Sequence, residues 1–230
     1  MPELKWDENG KRYYETGVDH GVVYPHTGSG YGTGVAWNGL TAFNESPSGA
    51  EANAIYADNM KYLNLISAED YGFSLEAYTY PDEFAECDGS VQAATGVFLG
   101  QQVRKMFGFV CRTKIGNDET DDLGYKLHII YGCKAAPTEK NYNTVNDSPE
   151  AGSFSWDIST TPVPVKNRRA TACVTIDSRT ADEDLLKALE AKLFGTDPDE
   201  EAETPGSDPT LPDIETVISM MTPTPPDPGE

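Results

Sequence analysis

Four acids, Asp82, Glu83, Glu86 and Asp88, fall within seven residues, and a pair of carboxyl groups held a fixed distance apart is what a glycosidase uses for acid and base or nucleophile. The chain has 38 acids, so such clusters arise by chance and a solvated face is the expected role. The run Asn117, Asp118, Glu119, Thr120, Asp121, Asp122, Leu123, Gly124 offers oxygen ligands to calcium, but it lacks the alternating carboxylates and closing Glu of an EF-hand loop. Histidine occurs only at His20, His26 and His128, with no His-x-x-x-His pair for a metal, and no Gly-x-Ser-x-Gly marks a strained nucleophile. Cys87, Cys111, Cys133 and Cys173 are separated by 24, 22 and 40 residues, with no Cys-x-x-Cys to bring two sulfurs to one ion from a single turn. Free thiols in apolar strands are expected, not metal ligands. Gly28, Gly30, Gly32 and Gly34 suggest a phosphate loop by composition, yet no register supplies Gly-x-Gly-x-x-Gly and no Gly-Lys-Ser/Thr follows, so this reads as a connector. The expectation is a protein that is not an enzyme, with no catalytic, cofactor-binding or metal site.

The elements around these residues repeat with a period of two. Phe73, Leu75 and Ala77 alternate with polar neighbours in Tyr71–Tyr80, and so do Phe107, Phe109 and Cys111 in Lys105–Thr113. The same pattern covers Tyr125–Cys133, Ser153–Ser159 and Ala170–Ile176, with less regular candidates at Tyr13–Val18, Val22–Tyr24, Val35–Phe43 and Lys61–Ile66. These are half-buried strands, and turns at Asp19-His20-Gly21, Asp88-Gly89 and Gly116-Asn117 leave no room for crossover helices, so the sheet is antiparallel. One helix is expected after Thr180, with Thr180 and Glu183 as a capping box, Leu185, Leu186, Leu189 and Leu193 as its apolar stripe, and Gly195 as its stop. A short helical turn fits Pro81–Cys87, anchored by Phe84. Residues 44–58 are polar with little periodicity and read as a long loop.

Charge and length bound the function. The chain has 230 residues and a formal net charge of -21; the ten acids of residues 195–230 account for -10 of this and leave -11 for residues 1–194. The same last 36 residues hold eight of the 16 prolines and no Lys, Arg or aromatic residue, the composition of a disordered tail. Residues 1–194 then form one domain. With no basic patch to replace phosphate counterions, stable binding to nucleic acid or to an anionic membrane is disfavoured, whereas an acidic wall would let passing DNA slide. No stretch is long and apolar enough to span a membrane, and the opening Met1-Pro2-Glu3-Leu4-Lys5-Trp6 lacks the regions of a signal peptide, which gives a cytoplasmic expectation. A β domain without chemistry suits assembly: an open sheet edge pairs with a neighbour's, and a heterologous contact closes into a ring when the rotation allows. The competing expectation is a carbohydrate-binding or surface-attachment β-sandwich using Trp37, Tyr78, Tyr80 and Tyr142.

Several segments carry a more specific signal. They are Tyr13-Tyr14-Glu15-Thr16-Gly17-Val18-Asp19-His20-Gly21-Val22-Val23-Tyr24-Pro25, Gly34-Val35-Ala36-Trp37-Asn38-Gly39-Leu40-Thr41, Lys114-Ile115-Gly116-Asn117-Asp118 with Gly124-Tyr125-Lys126-Leu127-His128-Ile129-Ile130-Tyr131-Gly132, and Thr144-Val145-Asn146-Asp147-Ser148-Pro149-Glu150 with Phe154-Ser155-Trp156. In order and spacing this set resembles the major tail (tail tube) proteins of long-tailed, non-contractile phages (siphophages) of Gram-positive bacteria, over roughly residues 10–195. The resemblance implies a mainly β, antiparallel sandwich or barrel with one packing helix, polymerised as stacked hexameric rings into the tail tube, a conduit for genome ejection. It implies an N-terminal arm at 1–12 and an assembly loop at 44–58, both reaching adjacent subunits. The implied partners are further copies of the chain, the tape-measure, tail-tip and tail-terminator proteins, and double-stranded DNA in transit; the implied location is the virion tail, after assembly in the host cytoplasm. It carries over no site residue.

Overall fold

Every strand expected from the alternation is present, and most of them join one curled sheet. The computed structural model describes residues 3–142, 144, 147, 151–198 and 205–223. Its strands are β1 (Tyr14–Pro25), β2 (Val35–Trp37), β3 (Leu40–Glu45), β4 (Ser48–Gly49), β5 (Ala52–Ala57), β6 (Met60–Ile66), β7 (Glu69–Asp70), β8 (Gly72–Ala77), β9 (Val91–Ala94), β10 (Val97–Leu99), β11 (Phe107–Gly116), β12 (Gly124–Ala135), β13 (Phe154–Thr160) and β14 (Cys173–Asp177). A single 3₁₀ turn, Asp82–Phe84, precedes β9; helices α1 (Glu183–Phe194) and α2 (Ile214–Met220) follow β14. The protein is mainly β, with antiparallel sheets and two helices.

The main sheet runs β2-β1-β11-β12-β13-β8-β3, with β14 beside β12. β2 and β3 are consecutive in sequence yet lie at opposite ends of this order, joined only by Asn38 and Gly39, so the sheet must curl until its ends meet. Gly39 has φ of 77°, the left-handed conformation such a tight link needs. The seam is closed by the Trp37 indole, which donates to the Thr79 carbonyl at 2.9 Å. Inside the curl lie Val23, Trp37, Phe73, Leu75, Phe84, Phe107, Phe109, Ile130 and Trp156. Trp37 packs against Phe84, Phe109 and Trp156 at ring separations of 4.5–6.0 Å, the range in which tilted and edge-to-face aromatic pairs are favourable.

The outer face of β1, β11 and β12 builds a second core with the helices: Tyr24, Val110, Leu127, Ile129 and Tyr131 meet Leu186, Leu189 and Leu193 of α1 and Leu211, Ile214 and Val217 in and before α2. Strands buried on both faces explain the near-continuous burial of β11 and β12, against the clean alternation of β8. Residue 132 is where β12 changes partners, from β14 (residues 126–130) to β13 (residues 133–135). Gly132 has φ of 63°, and a Cβ there would stand 2.3 Å from the Thr161 carbonyl oxygen, so only glycine fits this bulge.

Four expectations are corrected. Residues 44–58 are not a loop: they contain the end of β3, β4 and β5. Here β5 pairs with β6 through a turn at Asp58 and Asn59, both with positive φ as a tight hairpin turn requires. The little periodicity of this stretch reflects a ribbon exposed on both faces, where nothing forces alternation. Asp19-His20-Gly21 is not a turn but a bulged stretch within β1, with His20 at φ of 51°. Helix α1 is capped by Asp182, whose carboxylate accepts from the Asp184 and Leu185 amides, not by Thr180; a carboxylate one residue before the helix outcompetes a hydroxyl two residues further back. Finally, the acidic tail is not disordered throughout. Leu211, Ile214 and Val217 are buried, Asp213 caps α2, and the Tyr131 hydroxyl donates to the Pro212 carbonyl at 3.0 Å, because these three apolar residues among the acids dock on the outer face of the sheet. Residues 199–204 and 224–230 of that tail, and most of 143–150, lie outside the described residues.

Candidate assembly surface

β3 and β8, β4 and β7, and β5 and β6 form three successive pieces of one antiparallel ribbon, which starts in the main sheet and ends at the Asp58-Asn59 turn. Its outer piece is rich in large apolar side chains that stay exposed: Tyr56, Met60, Tyr62, Leu65 and Ile66 are all more than half exposed, Tyr62 at 70% and Ile66 at 69%. A shorter hairpin, β9 and β10, turns at Gly96 and exposes Val97, Phe98 and Leu99. At the start of the chain Leu4 and Trp6 are exposed as well. Scattered exposed apolar residues are ordinary, but contiguous patches of this kind mark contact surfaces.

Among the described residues, the N-terminal segment is tied to the body at its far end. The Gly10 amide donates to Asp118 at 3.0 Å, the Asn117 side-chain amide donates to the Gly10 carbonyl at 2.8 Å, and the Tyr14 hydroxyl donates to Asp121 at 2.7 Å. Asn117 also folds its own loop, accepting from the Glu119 and Thr120 amides. The acidic run from Asn117 to Gly124 clamps the chain's own N-terminal segment, with Asp118 and Asp121 hydrogen-bonded to it.

The other sequence-flagged residues separate. Asp88 points away from its neighbours into ion pairs with Arg104 at 3.2 Å and Lys140 at 2.5 Å. Asp82, Glu83 and Glu86 line a cleft of about 480 Å³ with Pro25, Ser90, Gln92 and Phe98, and Glu86 pairs with Lys105. Trp37 is 2% exposed and belongs to the core, which removes it from a sugar-stacking platform; Tyr78 and Tyr142 are exposed. His20 lies against Asp19 and Arg112, and Arg112 also bonds Glu190 and stacks over Tyr125. His26 caps the glycine connector by accepting from the Gly28 amide. Cys87, Cys111 and Cys133 are buried and Cys173 partly so; burial pushes the Cys87 thiol up to about 12 and those of Cys111 and Cys133 well above their ordinary value. Such thiols are protonated and inert as nucleophiles at neutral pH.

Sequence reasoning missed the projecting ribbon. The signal was present in Ile55, Tyr56, Tyr62, Leu63, Leu65 and Ile66 flanking Asp58-Asn59, a turn dipeptide between two apolar runs. Among the described residues no helix is long and apolar enough to cross a membrane. No protein-family model matches the chain, and a comparison with characterised proteins returns no match.

Proposed function

We propose that this chain is a self-assembling structural subunit, a tail tube protein of the kind found in long-tailed phages, which stacks as hexameric rings into a tube through which the genome is ejected. The observation that carries this reading is the ribbon of β5 and β6: an ordered arm with large apolar side chains exposed on both faces is costly to a monomer and useful to a polymer. The second hairpin and the exposed Leu4 and Trp6 add two further contact elements, enough for lateral and axial contacts through different surfaces. The net charge of -21 suits a conduit from which DNA must slide free. Further copies of the chain are its principal partners, with tape-measure, tail-tip and tail-terminator proteins at the ends of the tube, in the virion tail.

Negative-stain electron microscopy and light scattering across protein and salt concentrations test this. Rings or striated hollow tubes are the expected product of the full chain. The double variant Tyr62→Glu, Leu65→Glu is expected to stay folded by circular dichroism and to lose assembly; a chain that is monomeric under every condition, or a variant that assembles as before, counts against the proposal.

A further inference from the structure

At the foot of the arm, residues from three separate strands converge. Glu45 is the last residue of β3, His128 lies in β12 and Cys173 opens β14; one carboxylate oxygen, one imidazole nitrogen and the sulfur all lie within 4.8 Å of one another. We propose that Glu45, His128 and Cys173 bind a single divalent transition-metal ion of the zinc class. This inference is independent of the assembly reading.

The imidazole makes the strongest case. His128 is 6% exposed, and its Nδ1 is fully enclosed with no hydrogen-bond partner among the described residues. A buried polar atom left in this condition costs free energy, and natural proteins seldom leave one. Nε2 faces the Thr113 hydroxyl at 3.0 Å, and Nδ1 faces Glu45 Oε1 at 3.6 Å, too far for a hydrogen bond. If Nε2–H donates to Thr113, the Nδ1 lone pair points at a carboxylate, acceptor against acceptor, and a cation between them satisfies both. A ligating histidine whose other nitrogen is held by a hydrogen bond is the usual arrangement around zinc, and Glu45 is likewise oriented by the Tyr71 hydroxyl, which donates to Oε1 at 2.6 Å.

The donor set is a nitrogen, a sulfur and an oxygen, which selects zinc-class ions over calcium or magnesium. With bond lengths near 2.0–2.3 Å, a tetrahedral ion needs its ligand atoms about 3.3–3.7 Å apart, so side-chain shifts of about an ångström close the site. The thiol gives up its proton to solvent as sulfur binds. Three protein ligands leave the fourth position to water on the side of Glu45, the exposed member. Sequence spacing argued against sulfur ligation because it counted only close pairs; the fold supplies the ligands from positions 45, 128 and 173. The ion would pin β3 to β12 and β14 and so fix the angle at which the arm leaves the body.

The test uses the full chain, stripped with chelator and titrated with Zn²⁺ by calorimetry and with Co²⁺ by absorption. One equivalent of each is expected, the cobalt form showing a thiolate charge-transfer band and the intense visible bands of tetrahedral geometry. Cys173→Ser should abolish the charge-transfer band, and Glu45→Gln and His128→Gln should each weaken zinc binding at least tenfold. Glu45 is exposed and Cys173 only partly buried, so their variants keep the test decisive if His128→Gln misfolds. Absence of stoichiometric binding to the wild type, or binding unchanged in Glu45→Gln and Cys173→Ser, overturns the proposal.

Discussion

The two ends of the ribbon are built from the same kinds of residue in the same antiparallel ladder, yet they have opposite fates. In the inner piece, Phe73, Leu75 and Ala77 of β8 are buried, and Phe43 of β3 packs on Phe73 and Phe109 at 5.3 and 6.4 Å. In the outer piece, every residue of β6 is exposed although five of its seven are large and apolar. Strand formation needs only pairing and β-prone side chains, which both pieces have. Burial needs a neighbour across the face, and the described residues supply one only to the inner piece.

That contrast can be broken by mutation. Trp156→Ala, in the core beneath the inner piece, should cost about 3–5 kcal/mol in urea denaturation, while Tyr62→Ala in the outer piece should change monomer stability by no more than about 0.5 kcal/mol. Equal losses would mean that the arm is covered within the monomer. The outer core can be tested the same way. Ile214→Ala should cost about 2–5 kcal/mol if α2 seals the sheet, and nothing if the acidic tail hangs free. A smaller effect, about 1 kcal/mol, is expected from Asp182→Ala, with Thr180→Ala near neutral; the reverse ranking would restore the capping box. The smallest effect concerns pH. Burial tends to raise the Asp19 carboxyl, but hydrogen bonds from His20 and Arg112 overcome this and hold its pKa below the ordinary value; the Arg179 side chain and amide do the same for Asp177. A carboxyl with a depressed folded pKa stabilises above its unfolded pKa and loses that contribution as pH falls through the folded one. Stability should therefore hold down to about pH 4 and decline below it, with Asp177→Asn flattening the decline in melting curves.

The sheet was legible wherever burial is one-sided or complete, because alternation in β8 and β13 and the stripe Leu186, Leu189, Leu193 in α1 are imposed by contact with a core. The arm was not, since a ribbon exposed on both faces has no pattern to impose. Composition misled for the tail: ten acids and eight prolines outweighed Leu211, Ile214 and Val217, three side chains whose position opposite Tyr131 only the fold reveals. The metal-like cluster was hidden by distance, its members being 83 and 45 residues apart in the chain. The shared end of β3 and the pairing of β12 with β14 bring them together.

The seating of α2 on the outer face of β11 and β12 also sets an order of events during synthesis. Leu211 covers Gly108 so closely that a Cβ there would stand 2.2 Å from its methyl group, and this contact joins residues more than a hundred positions apart. A nascent chain that has emerged only as far as α1 can curl its sheet but still exposes that face to water and to other nascent chains. The outer core is finished only when residues 211–217 leave the ribosome. Until then the chain exposes the unsealed sheet as well as the arm, the hairpin of β9 and β10, and Leu4 and Trp6; afterwards that face of the sheet is covered and the other apolar elements stay exposed.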